Sequence, residues 1–154
     1  MHDTLIIKVL LADDDKDDCF LFREALQEIP MASELKVVNN GEQLMHYLID
    51  EAEELPTILF LDLNMPRKNG FSCLEEIKGN ENLKQIPVII FSTSYDAHVA
   101  ELLFKKGAQH YISKPADFSQ LIKIIEYSLK LILQEKTSSP LKGNFLLSNL
   151  KSTT

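Results

Sequence analysis

The chain of 154 residues is long enough for one domain of ordinary size and too short for two comfortable ones. Its 16 Lys and Arg against 23 Asp and Glu give a formal net charge of −7, which disfavours a polyanionic partner, so no nucleic-acid binding is expected. With 45% hydrophobic and 25% charged residues, no basic leader and no apolar run of spanning length, the expectation is a cytoplasmic protein with no membrane partner.

Along the chain, short β-rich apolar runs alternate with amphipathic helical stretches. Residues 6–12 (IIKVLLA) predict a strand, followed by a helix near 15–29 that Pro30 stops. Residues 35–39 (LKVVN) predict a second strand, with a helix opened by Asn40-Gly41 and running to about 51. Residues 57–62 (TILFLD) precede a helix at 70–78, and residues 87–92 (PVIIFS) precede one at 96–106 closed by Gly107. Residues 108–113 (AQHYIS) lead into the last helix, 117 to about 134. The runs at 57 and 87 are almost wholly apolar, as strands covered on both faces must be. Strict alternation with right-handed crossovers predicts a doubly wound α/β domain. Its five-stranded parallel sheet is flavodoxin-like, with strand order 2-1-3-4-5. The domain is placed at 5–133, leaving 134–154 as a flexible, docking or partner segment.

In such a sheet, ligands bind beyond the carboxyl ends of the strands. Asp13 and Asp14 follow the first strand, Asp62 ends the third, Ser92 the fourth, and Lys114 follows the fifth. Three converging carboxylates repel one another unless a cation sits among them. Oxygen donors without His or Cys suit a hard ion, Mg2+ better than Ca2+. A metal ion, a lysine and a hydroxyl around a strand-end carboxylate form a receptacle for a phosphoryl group, and the carboxylate itself can be the nucleophile. Asn64, two residues beyond Asp62, cannot act as a general base, so an aspartyl phosphate formed there should persist. Asp13, Asp15, Asp17 and Glu24 also fall at the spacing of a calcium loop, but Asp18 stands where that loop needs glycine. Asp15, Asp17 and Asp18 are better explained as favouring the start of the first helix.

The segments LLADDD (10–15), LFLDLNMPRKNG (59–70), PVIIFSTS (87–94) and GAQHYISKP (107–115) together resemble the receiver domain of two-component response regulators. The resemblance is greatest to stand-alone receivers, including those paired with phytochrome-type histidine kinases. It implies that Asp62 is the phosphoacceptor, supplied by a sensor histidine kinase or phosphotransfer protein. It implies that Asp14 is a direct Mg2+ ligand, Asp13 an indirect one, and that Asn64 offers its backbone carbonyl. Ser92 and Lys114 would contact the phosphoryl oxygens. Tyr111 would be an aromatic switch coupled to Ser92, turning inward on phosphorylation, and the bond before Pro115 would be cis. An intact Asp13, Asp14, Asp62, Ser92 and Lys114 set argues against a pseudo-receiver. Asn64 argues against a phosphatase, and the lack of a Gly-rich loop after the first strand argues against a flavin carrier.

Other features have ordinary explanations. Cys19 and Cys73 read as small buried hydrophobes in a reduced compartment. His2, His46, His98 and His110 are scattered over separate elements, and Thr93 and Ser94 shape a loop. In the last helix, Phe118, Leu121, Ile122, Ile125, Leu129 and Ile132 form a core stripe. Ile124, Tyr127 and Leu131 then fall on a second face, which predicts a homodimer through this helix; the competing expectation is that Phe145, Leu146 and Leu147 fold back onto that face within one chain. The tail begins as a linker and carries Leu141, Phe145, Leu146, Leu147 and Leu150, expected to be disordered with one sticky patch.

Overall fold

Residues 5–93, 95–135 and 145–147 are described by the computed structural model; His2, Ser94, Leu141 and Leu150 lie outside them. In chain order the elements are β1 (Ile7–Ala12), α1 (Lys16–Gln27), β2 (Ser33–Val38) and α2 (Gly41–His46), which continues as a π-helical turn, Tyr47–Glu51. Then follow β3 (Ile58–Leu61), α3 (Gly70–Lys78), β4 (Val88–Ser92), α4 (Ala97–Lys105), β5 (His110–Ser113), α5 (Phe118–Glu135) and β6 (Leu146–Leu147). The strands form one parallel sheet in the order β2-β1-β3-β4-β5-β6. The flavodoxin-like core matches the sequence expectation. The sixth strand was not expected.

Local chemistry explains the boundaries. Asp15, Asn40, Asn69 and Asp96 each accept a backbone N–H in the first turn of α1, α2, α3 and α4, satisfying donors that the helix cannot. Gly107, at φ 104°, takes the left-handed conformation that lets the chain leave α4. Every residue of β3 and β4 is buried, whereas β2 alternates between half-buried and exposed positions as far as Val37, and only Val38 is buried. One apolar layer lies under α2, α3 and α4. The other lies under α1 and α5, around the edge-to-face rings of Phe22, Phe60 and Phe91. No helix among the described residues is long and apolar enough to cross a membrane.

Four expectations are corrected. Ile124 is only 4% exposed and belongs to the core of its own chain, so it is not an interface residue. The buried stripe of α5 is Leu121, Ile124, Ile125, Ser128, Leu129 and Ile132. The polar Ser128 lies mid-stripe because its hydroxyl donates to the Ile124 carbonyl at 2.6 Å. Phe118, expected in the core, lies at the exposed margin, and Tyr127 is exposed, while Leu131 is half-buried. The bond before Pro115 is trans, since no described peptide bond is cis, and trans is the lower-energy isomer even before proline. In the tail, expected to be disordered, Phe145 and Leu147 are buried beside β5 and Leu146 is exposed.

Candidate functional site

Strand register brings the acids together. Ala12 of β1 pairs with Leu61 of β3, so the next residues, Asp13 and Asp62, leave the sheet side by side. The ladder continues one step past the strands: the Asp13 N–H donates to the Val38 carbonyl and the Asp62 N–H to the Ala12 carbonyl, each at 3.0 Å. Across the sheet, Ser92 pairs with Ser113, and the Lys114 N–H donates to the Ser92 carbonyl at 2.7 Å. Lys114 therefore departs toward the same crevice. Its ammonium lies 2.7 Å from Asp13 Oδ2, 2.9 Å from Asp18 Oδ2 and 3.8 Å from Asp62 Oδ2. Its Nζ also sits 5.4 Å from the centre of the Phe91 ring.

The charges are unequal in their surroundings. Asp13 is fully buried, Asp62 nearly so, and Asp14 exposed. Burial pushes the Asp62 carboxyl from an ordinary value of 3.8 up to about 6; Lys114 opposes that, and the charge of Asp13 adds to it. Burial would lower the Lys114 ammonium, but hydrogen bonds to Asp13 and Asp18, with the charges of Asp13 and Asp62, outweigh it and push the group up to about 12. One oxygen each of Asp13, Asp14 and Asp62 lies within 4.8 Å of the others, a spacing that one ion can bridge.

The loop after β3 holds Asp62 in position. The backbone N–H of Asn64 donates to Asp62 Oδ1 at 3.3 Å. Arg67 takes a left-handed φ of 69°, and the Lys68 N–H closes on the Pro66 carbonyl at 2.7 Å, which is the sharp turn. Gly70 then returns to donate its N–H to the Leu63 carbonyl at 3.0 Å. A Cβ on Gly70 would stand 2.4 Å from the Asp62 carbonyl oxygen, so only glycine lets α3 start this close to the acid.

Ser92 is fully buried, and its Oγ makes no hydrogen bond of ordinary geometry. Burial raises the Tyr111 hydroxyl pKa, opposed by the nearby Ser92 hydroxyl. Tyr111 is already buried, its ring 5.4 Å from Tyr95 and 6.3 Å from Phe145. Tyr95 and Phe145 pack against the ring in this arrangement.

The structure thus gathers Asp13, Asp14, Asp62 and Lys114 into one cluster, with Ser92 tied to it through the main chain. Asn64 is exposed, and its amide rather than its side chain reaches Asp62. Sequence reasoning missed Asp18. Its carboxylate lies in the first turn of α1, as the helix-start reading has it, and also faces Lys114.

Comparison with known proteins agrees with this geometry. Residues 9–126 match the family model described as response regulator receiver domain. The chain is 31% identical to response regulator Rcp1 of Synechocystis sp. over 122 residues, 77% of this chain and 83% of that one. The crystal structure of the phosphorylated cyanobacterial phytochrome response regulator RcpA aligns with a TM-score of 0.77 at 33% identity, covering 89% of this chain and 100% of that one. The Mn2+-bound form of Rcp1 aligns with a TM-score of 0.73 at 29% identity, covering 88% and 99%.

Proposed function

Because the chain belongs to the response regulator receiver domain family, we propose that Asp62 accepts a phosphoryl group from a sensor histidine kinase or phosphotransfer protein and that the signal passes on by protein contact. The observation that carries this reading is the buried Asp62 carboxylate within 3.8 Å of Lys114 and within reach of two further acids. In the transfer, an Asp62 oxygen attacks phosphorus, an O–P bond forms, and the bond to the donor nitrogen breaks with its electron pair going to the donor. Lys114 and the Ser92 hydroxyl receive the phosphoryl oxygens, Lys114 shifting from Asp13 and Asp18 to do so. The Asn64 N–H, aimed at Asp62 Oδ1, holds the carboxylate in line. Asn64 offers no base to activate water, which supports a phosphoacceptor that stores its group rather than an enzyme that turns over.

The donor set fits a divalent metal ion, with Mg2+ as the proposed one: three carboxylates, no His or Cys, on one side of a lysine. Asp14 is exposed and free to ligate directly. Asp13, whose Oδ1 accepts the Asp15 N–H at 3.0 Å while Oδ2 holds Lys114, is suited to act through water. Asp62 and the Asn64 carbonyl would complete the set. When bound, the ion offsets the negative charge gathered during transfer.

The receiver unit is assigned to 5–133, with 134–154 as a docking segment. Homodimerisation through α5, if phosphorylation drives it, would use Tyr127 and Leu131 without Ile124. Two unpaired, buried cysteines support a reducing cytoplasm. No nucleic-acid or membrane partner is assigned. Incubation with Mg2+ and a small acyl-phosphate donor, followed by intact mass, tests the function. One phosphoryl group is expected, suppressed by chelator. A protein that stays unlabelled would instead be a pseudo-receiver.

A further inference from the structure

The outer edge of β5 carries a second convergence of contacts, on Tyr111. Tyr111 and Ile112 pair in parallel with Leu146 and Leu147, and the Tyr111 N–H donates to the Phe145 carbonyl at 2.9 Å. The Phe145 ring is 4% exposed, edge-on to Phe104 of α4 at 5.3 Å and to Tyr111 at 6.3 Å. Leu147 joins the apolar layer under α5. The tail thus covers the edge of β5 and touches both neighbouring helical layers.

The occupant of this edge is a segment of the same chain, and His110 shows why it reaches. Its Nε2 lies 2.8 Å from Glu135 Oε1, at the end of α5, and its Nδ1 lies 3.3 Å from the Phe145 carbonyl oxygen. Glu135 and Phe145, the residues on either side of 136–144, therefore meet at one imidazole ring, and the entropy of closing so short a span grows only logarithmically with its length.

We propose that Phe145–Leu147 is an intramolecular ligand of the β5 edge that holds Tyr111 inward, so that tail docking and phosphorylation of Asp62 strengthen each other. The inference rests on Asp62 being the phosphoacceptor and adds the tail as its regulator. Tyr111 is the shared element: one side of its ring meets Phe145, while Ser92, beside its hydroxyl, is the group that answers the phosphoryl oxygens. A ligand that binds one arrangement of such an element biases it, and the bias is reciprocal. A partner protein that uses the β5 edge must displace the tail.

Two measurements on the full-length chain test this. Hydrogen exchange is compared before and after phosphorylation, with occupancy at Asp62 verified by intact mass and peptide mapping. Exchange at Tyr111, Leu146 and Leu147 should slow. Affinity for beryllofluoride, a phosphoryl mimic, is then compared between the wild type and Phe145→Ala, whose fold is checked by circular dichroism. The variant should bind about fivefold or more weakly. Labelling at Asp62 with tail exchange unchanged or faster, or equal beryllofluoride affinity in a folded Phe145→Ala, overturns this inference alone. Absence of labelling overturns the phosphoacceptor reading with it. Protection at 146–147 that disappears on dilution would assign the strand to a second copy, and the intramolecular ligand would be wrong.

Discussion

The crevice at the strand ends and the covered edge of β5 are held together by opposite means. In the crevice, the Lys114 ammonium faces two buried carboxylates, Asp13 and Asp62, with Asp18 half-buried beside it and Asp14 exposed at the rim. At the edge, three residues of the tail are held by one ladder, aromatic packing and a histidine bridge. Removing one member of the crevice leaves buried charge behind. Removing one member of the edge lets the segment lift away whole, so the loss is capped by the docking energy. The difference teaches where a mutation should be felt as stability and where as signalling.

The largest expected effect follows from that contrast. Lys114→Met should destabilise the ion-free protein by about 3–5 kcal/mol, because Asp13 and Asp62 are left buried without their partner. Urea unfolding measures it, and saturating Mg2+ should restore part of the loss. A change below about 1 kcal/mol would mean that the crevice is open to water and no different from a surface ion pair.

Next is α5, which backs the edge of β5. Ile124→Ala should cost about 2–5 kcal/mol, whereas Tyr127→Ala should stay within about 1 kcal/mol. The reverse ranking would return Ile124 to a surface and undo the assignment of the buried stripe.

The third effect depends on pH. The folded-state pKa of Asp62 is raised from 3.8 to about 6, so the fold holds this proton more tightly than the unfolded chain does. The stability that this proton confers is fully present below pH 3.8 and is lost as pH rises through about 6. Without divalent cations, Asp62→Asn should therefore be about 1–3 kcal/mol more stable than the wild type at pH 7.5, with the gain vanishing near pH 3.8. Denaturation midpoints at the two pH values decide it. A gain that persists at the acid end would assign the effect to packing and not to charge.

How legible each region was in the sequence follows the same division. Asp13, Asp62, Ser92 and Lys114 are local signals: each stands at the end of an apolar run, and parallel register alone brings them together. Asp18 escaped because one carboxylate can serve a helix start and a lysine 96 positions away, and only the tertiary fold reveals the second. Ile124 was misplaced because Ser128 interrupts the apolar pattern while its hydroxyl is satisfied inside the helix. The extra strand has almost no local signature. Phe145, Leu146 and Leu147 follow a Ser-Ser-Pro linker, and nothing in their spacing says which edge they join.

The smallest expected effect belongs to that strand. Phe145→Ala should lower global stability by only about 1 kcal/mol, less than the roughly 3–5 kcal/mol of a Phe→Ala change in a closed core, because the segment can detach as a unit. Thermal unfolding reads it. A loss as large as that of Ile124→Ala would make the tail part of the core and remove its freedom to regulate.

The central claim is the identity of the acceptor, and trapping the acyl phosphate tests it most directly. After reaction with an acyl-phosphate donor and Mg2+, borohydride reduction converts a phosphorylated aspartate to homoserine, which peptide mass mapping locates. The account predicts homoserine at position 62 and nowhere else, with none in chelator and none in Asp62→Asn. Homoserine at position 13 or 14, or a phosphoryl group that survives on a serine, would contradict it.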